Sequence, residues 1–187
     1  YALVPGGVAP SMGEVRTSHV STPIQKVDFP NGLKLLLKED HRLPFVQMRA
    51  IFQGGVLAEK MSNNGITQLM AKLLVKGTAS RTGQQIAEEI EGVGGGIDAY
   101  GGNNSFGVSA EVMSEDVALG LKLLADVVLN PSFPVEALER QRSVQLSSIK
   151  AQNDKLLQKT FRLMRENLFG AHGYGLDLLG TEESVSK

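Results

Sequence analysis

Residues Gly65 to Thr78 read GITQLMAKLLVKGT, with Gln68 and Lys72 four positions apart and Ala71 just before the second. On a helix, side chains at i and i+4 leave the same face one turn apart. Two histidines at that spacing with a glutamate beside them would hold a zinc ion and take a proton from its water, and the inverted order His-x-x-Glu-His meets the same need. The residues present supply little of this chemistry. Gln is a poor neutral ligand, Ala offers a methyl group, and Lys brings an ammonium. At an effective dielectric near 20, unit charges about 4 Å apart repel by roughly 4 kcal/mol, and a dication beside Lys72 would feel about double.

Other chemistry-bearing residues are scattered. His19 and His41 fall in stretches expected to be solvated loop, and His172 in FGAHGYG has no second ligand near it in sequence. Ser147-Ser148 has no His or Lys arranged as a base, so a serine nucleophile is not expected there. Gly94-Gly95-Gly96 does not follow a strand and open a helix, as a phosphate loop must, and reads as a turn entering a strand. The absence of Cys excludes disulfides, thiolate chemistry and Cys-ligated zinc.

The elements that must position these residues come from an ordinary globular composition. The chain has 187 residues, 42% hydrophobic and 21% charged, enough for a real core. With 19 Lys+Arg against 20 Asp+Glu, it offers no electrostatic argument for nucleic acid or an anionic membrane. No apolar run approaches a membrane span. Residues 1–22, rich in Gly, Pro, Ser and Thr, read as a linker or flexible arm without the basic start and apolar centre of a secretory leader. The compartment stays open, the bacterial periplasm included.

Order is expected from Ile24. IQKVDFPNGLKLLLKED reads as a β-hairpin turning at Asn31-Gly32, a pair that suits a type I′ turn, and FVQMRAIFQGG as a further strand. Ile66, Leu69, Met70, Leu73 and Leu74 then form one apolar helix face, with Asn63 or Asn64 as cap and Gly77 as stop. Thr82 and Gln85 have capping-box spacing for a second helix ending at Gly92 or Gly94. GIDAY and SFGVSAEVM read as a hairpin across Gly101 to Asn104. Ser114 is expected to cap a helix with Val117, Leu121, Leu124 and Val128 buried, ending at Asn130-Pro131. Pro134 opens another helix, running to about Asn153, and a last one covers Leu156 to Phe169. This order predicts an α+β fold in two layers, an antiparallel sheet with helices packed on one face.

Several stretches carry a family resemblance. NNGITQLMAKLLVKGT is similar to the helix of the insulinase-like, or pitrilysin-type (M16), metallopeptidases, whose motif has the form G-x-x-H-x-x-E-H-x-x-x-K-G-T; Gly65, Lys76, Gly77 and Thr78 match its frame. FPNGLKLLLKED, FQGGVLAE, IEGVGGGIDAYGGNNSFGVSAEVMSED, ALGLKLLADVVLNPSFPVEALERQRSVQLSSIKAQND and LFGAHGYGLDLLGTEESV resemble further family segments in the right order. The resemblance covers about Pro23 to Lys187. It implies one M16-like α+β domain over 23–187, cut short at its C-terminal end, and makes His172 a loop-packing residue.

The departures bear on function. Gln68 stands at the family's first His, Ala71 at the catalytic Glu and Lys72 at the second His. The third ligand, a Glu in a later helix, is matched by Ser147 in ERQRSVQLSSIK, with Ser148 following. The resemblance therefore implies a domain without metal or catalytic residues, zinc being expected only in a catalytic partner half. Gln68, Ala71 and Lys72 would form a solvated helix face or, alternatively, line a retained cleft that contacts a partner or peptide. Family members enclose substrate between two halves, so the expected partners are a catalytic half in the same chain or a separate subunit, an unfolded peptide, or a second copy. The competing expectation is an assembly role like that of the core subunits of the cytochrome bc1 complex. In catalytic relatives the strand resembling GGIDAYGG carries substrate along its edge. Here Ile97, Asp98, Ala99 and Tyr100 would form that edge, open to peptide or already covered by another domain.

Overall fold

A computed structural model describes residues 23–170 and 172–187; the arm expected over 1–22, with His19, lies outside them. The chain divides into two units, one ending at Leu43 and one running from Pro44.

In the first unit, β1 (Gln25–Asp28) pairs antiparallel with β2 (Lys34–Leu37), Val27 opposite Leu35. The turn differs from the type I′ expectation. Gly32 takes a positive φ of 87°, but Asn31 does not. Gly32 N donates to Phe29 O (3.0 Å) and Phe29 N to Leu33 O (2.8 Å). Pro30 is the reason: its ring fixes φ near −65°, which suits the first corner of a type I turn and leaves the left-handed position to Gly32 alone. His41 is exposed, as expected.

The second unit is a three-stranded antiparallel sheet in the order β3-β5-β4, from β3 (Phe45–Gln53), β4 (Gly96–Gly101) and β5 (Ser105–Met113). Register sets Ala50 opposite Val108 and Val108 opposite Ala99. One face of this sheet is buried: Met48, Ala50, Ile97, Ala99, Val108, Ala110 and Val112 pack against helix residues. On the other face Arg49, Asp98, Tyr100 and Glu111 are exposed. The period-2 alternation is what lets a sheet take helices on one side only.

Three helices cover that face: α1 (Ile66–Leu74), α2 (Gly83–Glu91) and α3 (Val117–Leu129). The start of α2 matches the spacing: Gln85 N donates to Thr82 Oγ1 (3.2 Å) and Thr82 N to Gln85 Oε1 (2.9 Å). It stops at Gly94, whose φ is 68°, with Gly95 N donating to Ile90 O and Gly94 N to Glu91 O. That pair of bonds is the Schellman arrangement. In α3 the buried residues are Gly120, Leu123, Leu124 and Val127, so the face is rotated from the expected Val117–Leu121–Leu124–Val128 stripe; Leu121 is exposed. Gly120 explains the rotation. A Cβ there would stand 2.6 Å from Met48 Cε and 2.9 Å from Val112 Cγ2, so the helix meets the sheet through its glycine. Ser114 does not cap α3 through its side chain; a short 3-10 turn, Ser114–Asp116, precedes the helix.

The loop after α1 is held by a polar cluster. Arg81 donates to Asp126 Oδ2 (2.6 Å) and Glu89 Oε1 (2.9 Å), and Thr78, Ser80 and Asn130 also donate to Asp126. Burial alone would raise the Asp126 pKa, but the bonds from Asn130, Thr78, Arg81 and Ser80 outweigh it and hold it below the usual carboxylate value. The bond to Glu89, then that to Asp126, raises Arg81. Beyond Pro131 come α4 (Val135–Asn153), α5 (Leu156–Phe169) and a short α6 (Glu182–Val185). Among the described residues no helix is long and apolar enough to cross a membrane.

Candidate functional site

The helix that carries Gln68, Ala71 and Lys72 begins on a buried carboxylate. Neither Asn63 nor Asn64 caps α1; its first residue follows Gly65, which has φ 92°. Glu59, 8% exposed, accepts from Gly65 N (2.7 Å), Thr67 N (2.8 Å) and Asn64 Nδ2 (2.8 Å). An anion at this end also complements the helix dipole. Gln145 of α4 adds a second tie, its Nε2 donating to Gly65 O (3.0 Å) and Leu179 O (2.7 Å). Asn64 Nδ2 donates to Asp177 O, and Ser184 Oγ to Asn64 O. Thus the closing stretch, Asp177 to Val185, is fastened onto the start of α1. His172, exposed just before that stretch, caps the short turn Gly173–Gly175, its Nδ1 accepting from Tyr174 N (3.2 Å).

Along α1 the buried residues are Thr67, Ala71, Leu73 and Leu74, whereas Ile66 is exposed and Leu69 and Met70 half-buried. The expectation of a solvated face fails at Ala71, which has no exposure and packs in the cluster holding Leu74, Ala99 and Val108. The reason is the close approach of α1 to β4. A Cβ on Gly101 would lie 2.9 Å from Gln68 Oε1 and 3.0 Å from Gln68 Cα, so only glycine fits under that turn. Gln68 and Lys72 are half-buried on the β4 side. Lys72 Nζ donates to the Ala99 carbonyl (3.3 Å) and lies 3.4 Å from Asp98 Oδ1.

Ser147 is not hydrogen-bonded to this arrangement. It is exposed on α4, about 200° around the helix from Gln145, and its Oγ donates to Ser143 O (2.9 Å). Ser148 Oγ likewise donates to Val144 O. The structure therefore brings Gln68, Ala71 and Lys72 together over β4 and joins Ser147 to none of them by a hydrogen bond. Among the described residues no group of three or more His, Cys, Asp or Glu is placed to hold a metal.

The remaining predicted residues lie on β4. Among the described residues β4 pairs only with β5, so its other edge is free of strands. Ala99 is buried and Ile97 half-buried toward the helices, while Asp98 and Tyr100 project from the outer face. Gln145 escaped sequence reading because its partners are 34 and 80 residues away, and Glu59 because it sits before the 3-10 turn Met61–Asn63, outside any capping spacing.

Known proteins agree with this geometry. The sequence profile of insulinase, peptidase family M16, matches residues 34–182. The chain is 27% identical over 161 residues to the mitochondrial-processing peptidase subunit beta of Blastocladiella emersonii, covering 86% of this chain and 35% of that one. It is 31% identical over 169 residues to an uncharacterised zinc protease of Mycobacterium leprae (89% and 37%) and 25% identical over 166 residues to the mitochondrial cytochrome b-c1 complex subunit 1 of Bos taurus (89% and 34%). Among solved structures, the peptidase M16 inactive domain from Pseudomonas fluorescens superposes with a TM-score of 0.82 at 26% identity, over 87% of this chain and 40% of that one. The chain thus spans little more than a third of the length of the relatives it matches. With the profile covering most of its residues, the chain belongs to the insulinase family of peptidases, M16.

Proposed function

We propose that this chain is a non-catalytic domain of an M16-type zinc metallopeptidase, enclosing substrate together with a catalytic half. The observation that carries this reading is the content of α1. Where the family resemblance expects His, Glu and His, the helix has Gln68, a core methyl at Ala71, and Lys72 held against Asp98 and Ala99. Zinc sites are built from His, Cys and carboxylates. An amide, a methyl, an ammonium and a hydroxyl bound to its own helix do not fit the ion, and Glu59 is already used by three N–H donors. The likeness to an inactive M16 domain supports the same reading. Zinc would then reside only in the partner half, whether in the same polypeptide or another subunit.

Within that role, the free edge of β4 from Ile97 to Tyr100 would add a strand of unfolded peptide through backbone hydrogen bonds, which need no metal. Hydrogen exchange with and without an unfolded peptide tests this, and unchanged protection across β4 would dispose of it. The test of the main reading is peptide hydrolysis by the purified chain. No cleavage is expected with or without added zinc, and chelator-sensitive cleavage would overturn it. A second reading, an assembly subunit, is favoured by the similarity to cytochrome b-c1 complex subunit 1. The two separate on the partner: an intact His-x-x-Glu-His half in the same or the adjoining reading frame supports the peptidase role, and respiratory subunits beside it the scaffold.

A further inference from the structure

We infer that Lys72 is a latch on the open edge of β4, competing with any peptide that would add there; this rests on the peptide-edge reading above. The direction of the edge groups follows from the register. Gly102 N donates to Ser105 O at the hairpin end, and Ser109 Oγ lies 3.5 Å from the Asp98 carbonyl, which therefore turns toward β5. Carbonyls alternate along a strand, so those of Ile97, Ala99 and Gly101 turn to the open side. An incoming strand would take its hydrogen bonds from these residues.

The helix is placed to intercept the middle one. Gln68 sits against Gly101, and Lys72, one turn on, reaches Ala99. Four residues of helix advance about 6 Å and two of strand about 6.7 Å, so one helical turn matches one edge repeat. Ala71 and Ala99 belong to one buried cluster, which holds α1 against β4. Lys72 Nζ thus occupies the Ala99 carbonyl at 3.3 Å, with Asp98 Oδ1 also 3.4 Å from the ammonium. Lysine at a sheet edge is a recognised guard against unwanted strand pairing. Here it comes from a neighbouring helix, and its pair with Asp98 is exposed enough to open. A peptide bearing a carboxylate could draw the ammonium away as it docks, whereas an uncharged peptide must displace it without recompense.

The experiment titrates the purified chain with an unlabelled, end-capped and uncharged peptide of alternating Thr and Val, binding read by calorimetry and amide exchange locating the bound strand. Lys72→Met keeps the length and removes the donor, Lys72→Gln is a second variant, and thermal unfolding confirms that both fold. Lys72→Met is expected to bind a few-fold tighter than the unsubstituted chain, the scale of an exposed ion pair, and Lys72→Gln, which keeps a neutral donor, by less, with new protection in Ile97 and Ala99 in both. Equal binding at β4 by all three proteins would overturn the latch and leave the peptide edge standing. Binding by none of them, or binding without protection in β4, would overturn the edge reading and the latch with it.

Discussion

Glu59 and Asp126 are the two carboxylates whose surroundings make the sharpest claims. Glu59 accepts from three donors in a buried setting, so Glu59→Ala strands two backbone N–H groups and one amide. That substitution is expected to destabilise the chain by about 2–4 kcal/mol in urea unfolding, and Glu59→Gln by less, since one oxygen remains to accept. A change under half a kcal/mol for Glu59→Ala would refute the capping role. Asp126 is tested by pH. Its folded pKa is depressed, so its contribution is fully present above the unfolded carboxylate value, near 3.9, and is lost as pH falls through the lower folded value. Asp126→Asn should lower stability at neutral pH and flatten the acid side of the stability profile; an unaltered profile would contradict the assignment. Neither residue announced itself in the sequence. The Thr82–Gln85 capping box did, because both its partners lie within one turn, whereas Glu59 reaches its donors across an intervening 3-10 turn and Asp126 takes most of its bonds from residues 45 to 48 positions away.

At the scale of elements, glycines decide how closely helices meet the sheet. A Cβ at Gly101 would press on the Gln68 backbone, which cannot yield as a flexible side-chain tip can. Gly101→Ala is expected to cost about 1–3 kcal/mol and to loosen α1 over β4, read by unfolding and by exchange of the α1 amides. Gly120→Val would strike Met48 and Val112 and lift α3, with a similar cost. The existence and order of the strands and of α1 to α5 were legible from periodicity and punctuation, and α5 matches its expected span of Leu156 to Phe169. Which face each helix buries was less so. An apolar stripe read by spacing favours large residues, but in α1 and α3 it is Ala71 and Gly120 that face the sheet, because small residues permit the closest approach. The Asn31-Gly32 turn shows a local counterpart, since Pro30 takes the first corner and Asn31 the second, leaving the positive φ to Gly32.

For the whole molecule, we propose that an M16 fold has kept its core without the family's metal chemistry. The core evidence is the continuity of Ala71, Leu74, Ala99 and Val108 beneath the positions where ligands would stand. The zinc-free reading of α1 that we propose came only from the family frame around Gln68 and Lys72; composition and spacing alone left it a helix with an odd polar face. What the sequence did not disclose is that Lys72 has found new partners in Asp98 and Ala99. The most direct measurement is the zinc content of the purified chain, by elemental analysis after saturation with zinc and exhaustive dialysis. The account predicts no stoichiometric metal. One tightly held zinc per chain, lost in a Gln68→Ala/Lys72→Ala variant, would contradict it.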